Sequence, residues 1–332
     1  MLETVKLDKN RLWLVTGAAG FIGSHLVEQL VKQGQKVRAV DNFITGHKKN
    51  LAHIDPTQFQ FIQGDICDFE LCKTITKGVD IVLHQAALGS VPGSIEDPLS
   101  THKNNVDGSL NLLVGCKENG VKRFVYASSS SIYGDQPTLP KFEKNIGLPL
   151  SPYALSKKTL EEYAELFFRL YGIETIGLRY FNVYGARQDP NGAYAAVIPR
   201  WIEALINEKS PEVYGDGGQS RDFCFVSNVV QANLLAATAV KSKIFGMSFN
   251  IALGQQTSLL ELFRIMKQSF VELGYKVNDV KLMHKEIRKG DILHSLASID
   301  LAKQHLNFNP QIQVNEGLRE TILHYIKSKN TL

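Results

Sequence analysis

From residue 11 to about residue 180, short apolar runs alternate with stretches whose apolar positions recur every three or four residues. The short runs read as buried strands, and the 3.6-residue period reads as helices with one buried face. Candidate strands are Arg11–Thr16, Lys36–Val40, Phe59–Gln63, Ile81–Gln85, Phe124–Ser128 and Thr175–Arg179. Between the first two, Phe21–Lys32 sets Phe21, Ile22, Leu26, Val27, Leu30 and Val31 on one stripe, and Gly34 ends the helix. A longer helix over Asn104–Glu118 is expected to turn Leu110, Leu113 and Cys116 inward. A third begins at Ser151-Pro152, an N-cap serine followed by proline in the first turn. This alternation predicts an α/β fold, a doubly wound parallel sheet with helices on both faces. Beyond residue 180 the pattern loosens, and Tyr214-Gly-Asp-Gly-Gly218 and Arg288-Lys-Gly-Asp291 mark loops. The expected division is a first domain over residues 1–180 and a smaller mixed α/β region over 181–332, some of whose segments return to the first.

Composition narrows the function classes. Of 332 residues, 44% are hydrophobic and 21% charged, the balance of a globular protein in water. A net charge of +4 carried by dispersed basic residues argues against a nucleic-acid partner, yet suits a small anionic ligand. No apolar run approaches the ~18 residues a membrane span requires. The stretch Met1–Asn10 has no apolar core followed by a cleavage site, so no signal peptide is read there. The expected setting is cytoplasmic. Cys67, Cys72, Cys116 and Cys224 show no metal-ligand spacing, so reduced thiols and no metal site are expected.

Gly17-Ala-Ala-Gly20-Phe-Ile-Gly23 follows a strand and opens a helix, the context a dinucleotide fingerprint requires. Missing side chains let the backbone approach a pyrophosphate, and the helix N-terminus, through Phe21 and Ile22, offers amide donors. Asp41 follows the second strand 18 residues after Gly23, with Asn42 beside it. A carboxylate there can accept from ribose hydroxyls and would repel the extra phosphate of NADP, which favours NAD. A strand-end turn is the plainer role for Asp41. Asp65 and Ile66 stand where adenine would lie, and the small residues after His84, in Gln85-Ala86-Ala87, leave space for the cofactor.

Tyr153 and Lys157 are four residues apart, so they share a helix face. A free phenol, with pKa of roughly 10, is a poor base at neutral pH. A lysine about 5 Å away contributes roughly 3 kcal/mol at an effective dielectric near 20, which is about two pKa units. The expectation is that Lys157 makes Tyr153 a usable proton acceptor for redox chemistry on an alcohol.

These residues, with Asn104-Asn-Val-Asp-Gly108, Ser128-Ser-Ser-Ser-Ile-Tyr-Gly134, Leu178-Arg-Tyr-Phe-Asn182 and Ser220-Arg-Asp-Phe223, resemble the extended short-chain dehydrogenase/reductase family. The likeness runs from Leu14 to about Pro310 and points within that family to nucleotide-sugar epimerases, most of all UDP-N-acetylglucosamine 4-epimerases of bacterial surface-polysaccharide pathways. It implies a Rossmann-like sheet, NAD as retained cofactor, a UDP-sugar substrate and a homodimer formed through the helices near 104–118 and 152–171. It also implies roles. Tyr153 would take the 4-hydroxyl proton, Lys157 would hold the tyrosine and the nicotinamide ribose, and Ser129, four residues before Tyr133, would share the hydroxyl proton. Asn104 matches an asparagine near the nicotinamide. Ser130 and Ser131 could touch the sugar. Relatives that dehydrate or decarboxylate use carboxylates after the catalytic serine or threonine, where this chain has serines.

For the nucleotide, the resemblance assigns Arg221 and Arg288 to the diphosphate, Asp291 to a ribose hydroxyl and Asn182 to a phosphate or sugar oxygen. Ala195–Pro199, including Ala196 and Val197, would line the uracil and sugar. Ser295 matches a gate beside the sugar's 2-substituent, where a small residue admits an acetamido group. Gly89, with Ser90 next to it, would form another small wall. UDP-hexuronic acids and UDP-glucose/UDP-galactose remain alternative substrates, and a non-catalytic NAD-binding sensor is the alternative from another class.

Overall fold

The computed structural model describes residues 5–8, 11–190, 196–286 and 293–330. The first half runs β1 (Leu12–Thr16), α1 (Phe21–Lys32), β2 (Lys36–Asp41), β3 (Gln60–Gln63), α2 (Phe69–Ile75), β4 (Ile81–His84), α3 (Val91–Glu96) and α4 (Pro98–His102). A π-helical turn (Lys103–Asp107), α5 (Gly108–Glu118), β5 (Arg123–Ser129), α6 (Pro152–Tyr171) and β6 (Glu174–Tyr180) complete it. There follow β7 (Val183–Tyr184), α7 (Val197–Ile206), β8 (Glu212–Tyr214), β9 (Ser220–Arg221), β10 (Cys224–Phe225), α8 (Val226–Thr238), β11 (Met247–Ile251), β12 (Thr257–Ser258), α9 (Leu259–Glu272), β13 (Met283–Lys285), α10 (Asp300–Leu306) and α11 (Val314–Asn330).

The main sheet has seven parallel strands in the order β11-β6-β5-β4-β1-β2-β3. It is a Rossmann-like doubly wound α/β fold. Strand residues alternate between two cores, as burial on both faces requires. Trp13, Val15, Ile81, Leu83 and Val125 pack with α1 and α8. Leu14, Val82, Phe124 and Tyr126 pack with α5 and α6.

The seventh strand was not expected from the sequence. β11 lies far along the chain yet pairs with β6, Met247 opposite Ile176 through Ile251 opposite Tyr180. Its Phe249 and Ile251, with Val229, Ala232 and Leu234 of α8, belong to the first core. A separate cluster of Trp201, Ile202, Leu205, Phe223, Met266, Phe270 and Leu318 holds the mixed α/β region, where, among the described residues, strands pair in twos.

The helix expected over Asn104–Glu118 starts instead with the π-helical turn. On α5, Leu112 joins Leu113 and Cys116 as a fully buried residue, while Leu110 is half-buried. On α6, Leu160, Ala164 and Phe167 are core, and Phe168 packs against the other face's core. All four cysteines are free thiols. Among the described residues no helix is long and apolar enough to cross a membrane.

Candidate active site

The chain runs from β1 outward to β3, then crosses back to β4 on the other side of β1. Ligands in such sheets bind at the carboxyl ends of the strands flanking this reversal. Here those ends carry the glycine loop and Gln85-Ala86-Ala87. Gly17 has φ +64°, and a Cβ built on it would lie 2.7 Å from the Ala86 nitrogen. A Cβ on Gly23 would lie 2.0 Å from the Gly17 carbonyl oxygen. The two loops therefore meet backbone to backbone, leaving a cradle that side chains at these positions would fill.

Over this cradle opens a cleft of ≈ 620 Å³. Its lining brings together Gly17, Gly20, Phe21, Ile22, Gly23, Asp41, Asn42, Ile66, Gln85, Ala86, Ala87, Gly89, Ser90, Asn104, Tyr153, Lys157 and Ala196. Asp65 holds the wall from behind: its carboxylate accepts from Asn42 Nδ2 at 3.1 Å and from the Cys67 amide at 2.8 Å. Asp41 has the turn role as well as a place in the lining. Its oxygens accept from the amides of Ala19 (2.9 Å) and Phe43 (2.7 Å), which ties the glycine loop to the end of β2.

The N-terminus of α6 is closed by side chains on both sides. Ser151 Oγ accepts from the Ala154 amide, and the buried Ser94 Oγ accepts from the Tyr153 amide, both at 3.1 Å. Ser156 Oγ donates to the Tyr153 carbonyl and accepts from Asn105 Nδ2 at 3.0 Å. Asn105 also bonds both backbone groups of Leu88. It thereby couples the loop after β4 to the helix that carries Tyr153. Asn104, the asparagine expected near the nicotinamide, lines the cleft and donates its amide to the Ser100 carbonyl.

The electrostatics of the pair differ from the sequence expectation. Burial pushes the Tyr153 phenol above its ordinary value, and the hydrogen bond with Ser129 opposes that rise. Lys157 is itself buried and lowered to about 8 by desolvation. Its Nζ donates to the Ala127 carbonyl at 2.9 Å and stands 5.9 Å from the centre of the Tyr153 ring. Two neighbouring buried groups each favour their neutral forms, so the direct depression by about two units assumed for an exposed pair does not arise from this lysine alone. His84 is held neutral, its pKa lowered to about 3 by burial and then by Lys157. It bridges Thr16 Oγ1 (2.7 Å) and Ser109 Oγ (2.9 Å) behind the cleft.

Ser129 caps a 3-10 turn, Ser130–Tyr133, its Oγ accepting from the Ser131 amide. Ser131 Oγ is buried without a hydrogen-bond partner among the described residues. A second cavity of ≈ 290 Å³ adjoins the cleft through Ala196 and is lined by Asn182, Val197, Trp201, Tyr214 and Arg221 among others. Arg221 Nη1 donates to the carbonyls of Ser220 and Leu293, and Asn182 Nδ2 to that of Asp222. Half-buried Ser295 is joined to this wall, its amide bonding the Ser220 carbonyl at 3.0 Å. Arg288, Asp291 and Ala195 lie outside the described residues.

Matches to known proteins follow the same outline. The pattern of the NAD dependent epimerase/dehydratase family matches residues 13–252, most of the chain. The chain belongs to that family. It is 40% identical over 96% of its length to a putative UDP-glucose 4-epimerase of Methanocaldococcus jannaschii, covering 99% of that protein. It superposes with a TM-score of 0.90 on the UDP-N-acetylglucosamine 4-epimerase from Methanobrevibacter ruminantium M1, solved with UDP-N-acetylmuramic acid. That match is 40% identical and covers 97% of this chain and 100% of the other. A UDP-glucuronic acid 4-epimerase from Bacillus cereus, solved with UDP-glucuronic acid and NAD, matches at TM-score 0.85 and 29% identity, covering 96% and 99%. NAD is the cofactor of this family, and the glycine cradle fits its pyrophosphate.

Gln85, expected from the sequence, closes a ring of hydrogen bonds under the cleft with Tyr180 and Asn233, at 2.9–3.2 Å; no role was read for those two partners in the sequence. Arg187, Gln188 and Asp189 form the rim, where His47 meets Asp189 at 3.2 Å and Arg187 pairs with Glu28. No local motif announces them, because each gains its partner from a distant part of the chain.

Proposed function

We propose that this protein interconverts UDP-GlcNAc and UDP-GalNAc by epimerisation at C4, with NAD retained throughout. The observation that carries the reading is the meeting of Tyr153, Lys157 and Ser129 at the carboxyl end of β5, beside a dinucleotide cradle. Bound NAD would accept the C4 hydride and later return it. With NAD bound, the positive nicotinamide would add to the Lys157 charge in favouring the Tyr153 phenolate, which takes the proton of the 4-hydroxyl, with Ser129 donating to the phenolate oxygen. Lys157, anchored on Ala127, holds positive charge beside the ring and orients the cofactor's ribose. The hydride returns to the other face after the 4-keto sugar turns within the pocket.

Arg221 and Asn182 line the adjoining cavity and suit an anionic diphosphate there. Arg288 and Asp291 complete this assignment by sequence. Support for an N-acetylated sugar comes from small residues. A Cβ at Gly89 would meet nothing within 4 Å, Ala196 lies between the two cavities, and Ser295 adjoins the Arg221 segment. Serines at 130 and 131 provide no carboxylate for dehydration or decarboxylation.

A homodimer through α5 and α6 is part of this proposal. It is supported by Leu155, Leu166 and Leu170, which lie exposed on α6. The direct test incubates the purified protein with UDP-GlcNAc, UDP-glucose and their uronates and separates the products. UDP-GalNAc should form fastest. Turnover confined to the uronates or to the plain hexoses would overturn the substrate assignment.

A further inference from the structure

We propose that Glu161 is a positioning residue for the reaction, setting the alignment of Ser129 against Tyr153 by gripping the intervening strand end; this rests on the epimerase reading above. Tyr153, Lys157 and Glu161 occupy successive turns of one face of α6. Each engages a different residue at the end of β5. Lys157 Nζ donates to the Ala127 carbonyl, Glu161 Oε1 accepts from Ser128 Oγ at 2.5 Å, and Tyr153 bonds Ser129. Three consecutive strand residues are thus held by three consecutive helical turns.

Glu161 is itself fixed from the neighbouring strand. Arg179, directly opposite Ser128 in the β5–β6 register, donates Nε and Nη2 to the two carboxylate oxygens at 3.0 and 2.8 Å. Its Nη1 reaches Tyr133 Oη at 3.1 Å and the Glu143 carbonyl at 2.7 Å. The guanidinium therefore also touches the 3-10 turn that Ser129 caps. Both side chains are almost fully buried, at 5% and 11% exposure. Buried ion pairs are often no more stabilising than the apolar side chains that could replace them. A forked pair whose carboxylate also holds a residue next to the reacting serine fixes geometry, and small misplacements there cost rate.

The test uses the holoenzyme and two changes. Ser128→Ala removes one hydrogen bond and leaves the ion pair intact. The double change Glu161→Leu with Arg179→Met removes both charges together and leaves no lone buried ion. Each should lower kcat for the UDP-sugar at least tenfold, with KM and bound NAD unchanged. Each should also raise the pH at which Tyr153 ionises by about one unit, read from tyrosinate absorbance as the difference from Tyr153→Phe. The charge facing that phenol's ring is Lys157, while His84, neutral behind the cleft, feels the Lys157 charge. Ser128→Thr, which keeps the hydroxyl, should restore both readouts. Combining Ser128→Ala with the double change should add little to either. Unchanged kcat and tyrosinate midpoint in folded Ser128→Ala, or full multiplication of the effects, would overturn the inference. Should the unmodified protein turn over no UDP-sugar while the midpoint still moves, the epimerase reading fails and the positioning role stands.

Discussion

Lys157 holds its ammonium 5.9 Å from the centre of the Tyr153 ring while donating its hydrogen bond to the strand. The lysine therefore lies against the aromatic face, and the hydrogen bond to the phenol comes from Ser129. Burial opposes ionisation of both residues. Tyr153→Phe would therefore remove the proposed proton acceptor without emptying the cleft. Turnover should fall by about 10²–10⁴-fold, while UDP affinity measured by calorimetry stays unchanged. Equal rates before and after the change would exclude Tyr153 as the base.

Gly17→Ala should strip the protein of NAD. The position has φ +64°, and the added carbon would lie within 3 Å of three backbone atoms of Gln85 and Ala86, none of which can swing aside. The left-handed conformation alone costs about 1–2 kcal/mol for an L-residue. Cofactor released by denaturing the purified variant, read by its absorbance, should be nearly absent. Full NAD content would show that the two loops do not bound the cofactor.

Ser295→Tyr tests the sugar pocket. Its effect should be steric and selective: loss of UDP-GlcNAc turnover by at least tenfold, with UDP-glucose turnover kept or improved. If UDP-GlcNAc turnover survives unchanged and UDP-glucose turnover does not improve, Ser295 is not the gate.

Glu28 ties the rim of the cleft to α1. Burial raises its pKa, but hydrogen bonds and charges from Lys32 and Arg187 outweigh that and lower it to about 2. A depressed carboxylate stabilises the fold fully above its unfolded pKa of about 4.3, and that contribution disappears as pH falls from there towards 2. Its size is about 2 kcal/mol after allowing for partial solvent screening. Glu28→Gln should destabilise the protein at pH 7 and flatten the loss of stability between pH 5 and 2. Parallel acid-denaturation curves for the two proteins would contradict this.

What the sequence disclosed, it disclosed through local rules. Gly17, Gly20 and Gly23 are legible because one turn demands them, and Tyr153 and Lys157 because one helical turn separates them. Residues that act across the chain were not legible. Glu161 finds Ser128 and Arg179 only once β5, β6 and α6 are packed, and Asn105 reaches Leu88 and Ser156 only once the loop after β4 meets α6. β11 escaped notice because Met247–Ile251 lies in the irregular second half of the chain, and its place beside β6 is set by topology. Burial of both groups, which spacing does not reveal, works against the expected depression of the Tyr153 pKa.

The most direct test of the whole account follows the hydrogen on C4. UDP-GlcNAc carrying deuterium at C4 should yield UDP-GalNAc with that deuterium still at C4, in ordinary water and with no added NAD. Product whose label has been replaced by solvent hydrogen would contradict hydride transfer to a retained cofactor, and no UDP-GalNAc at all would contradict the substrate assignment.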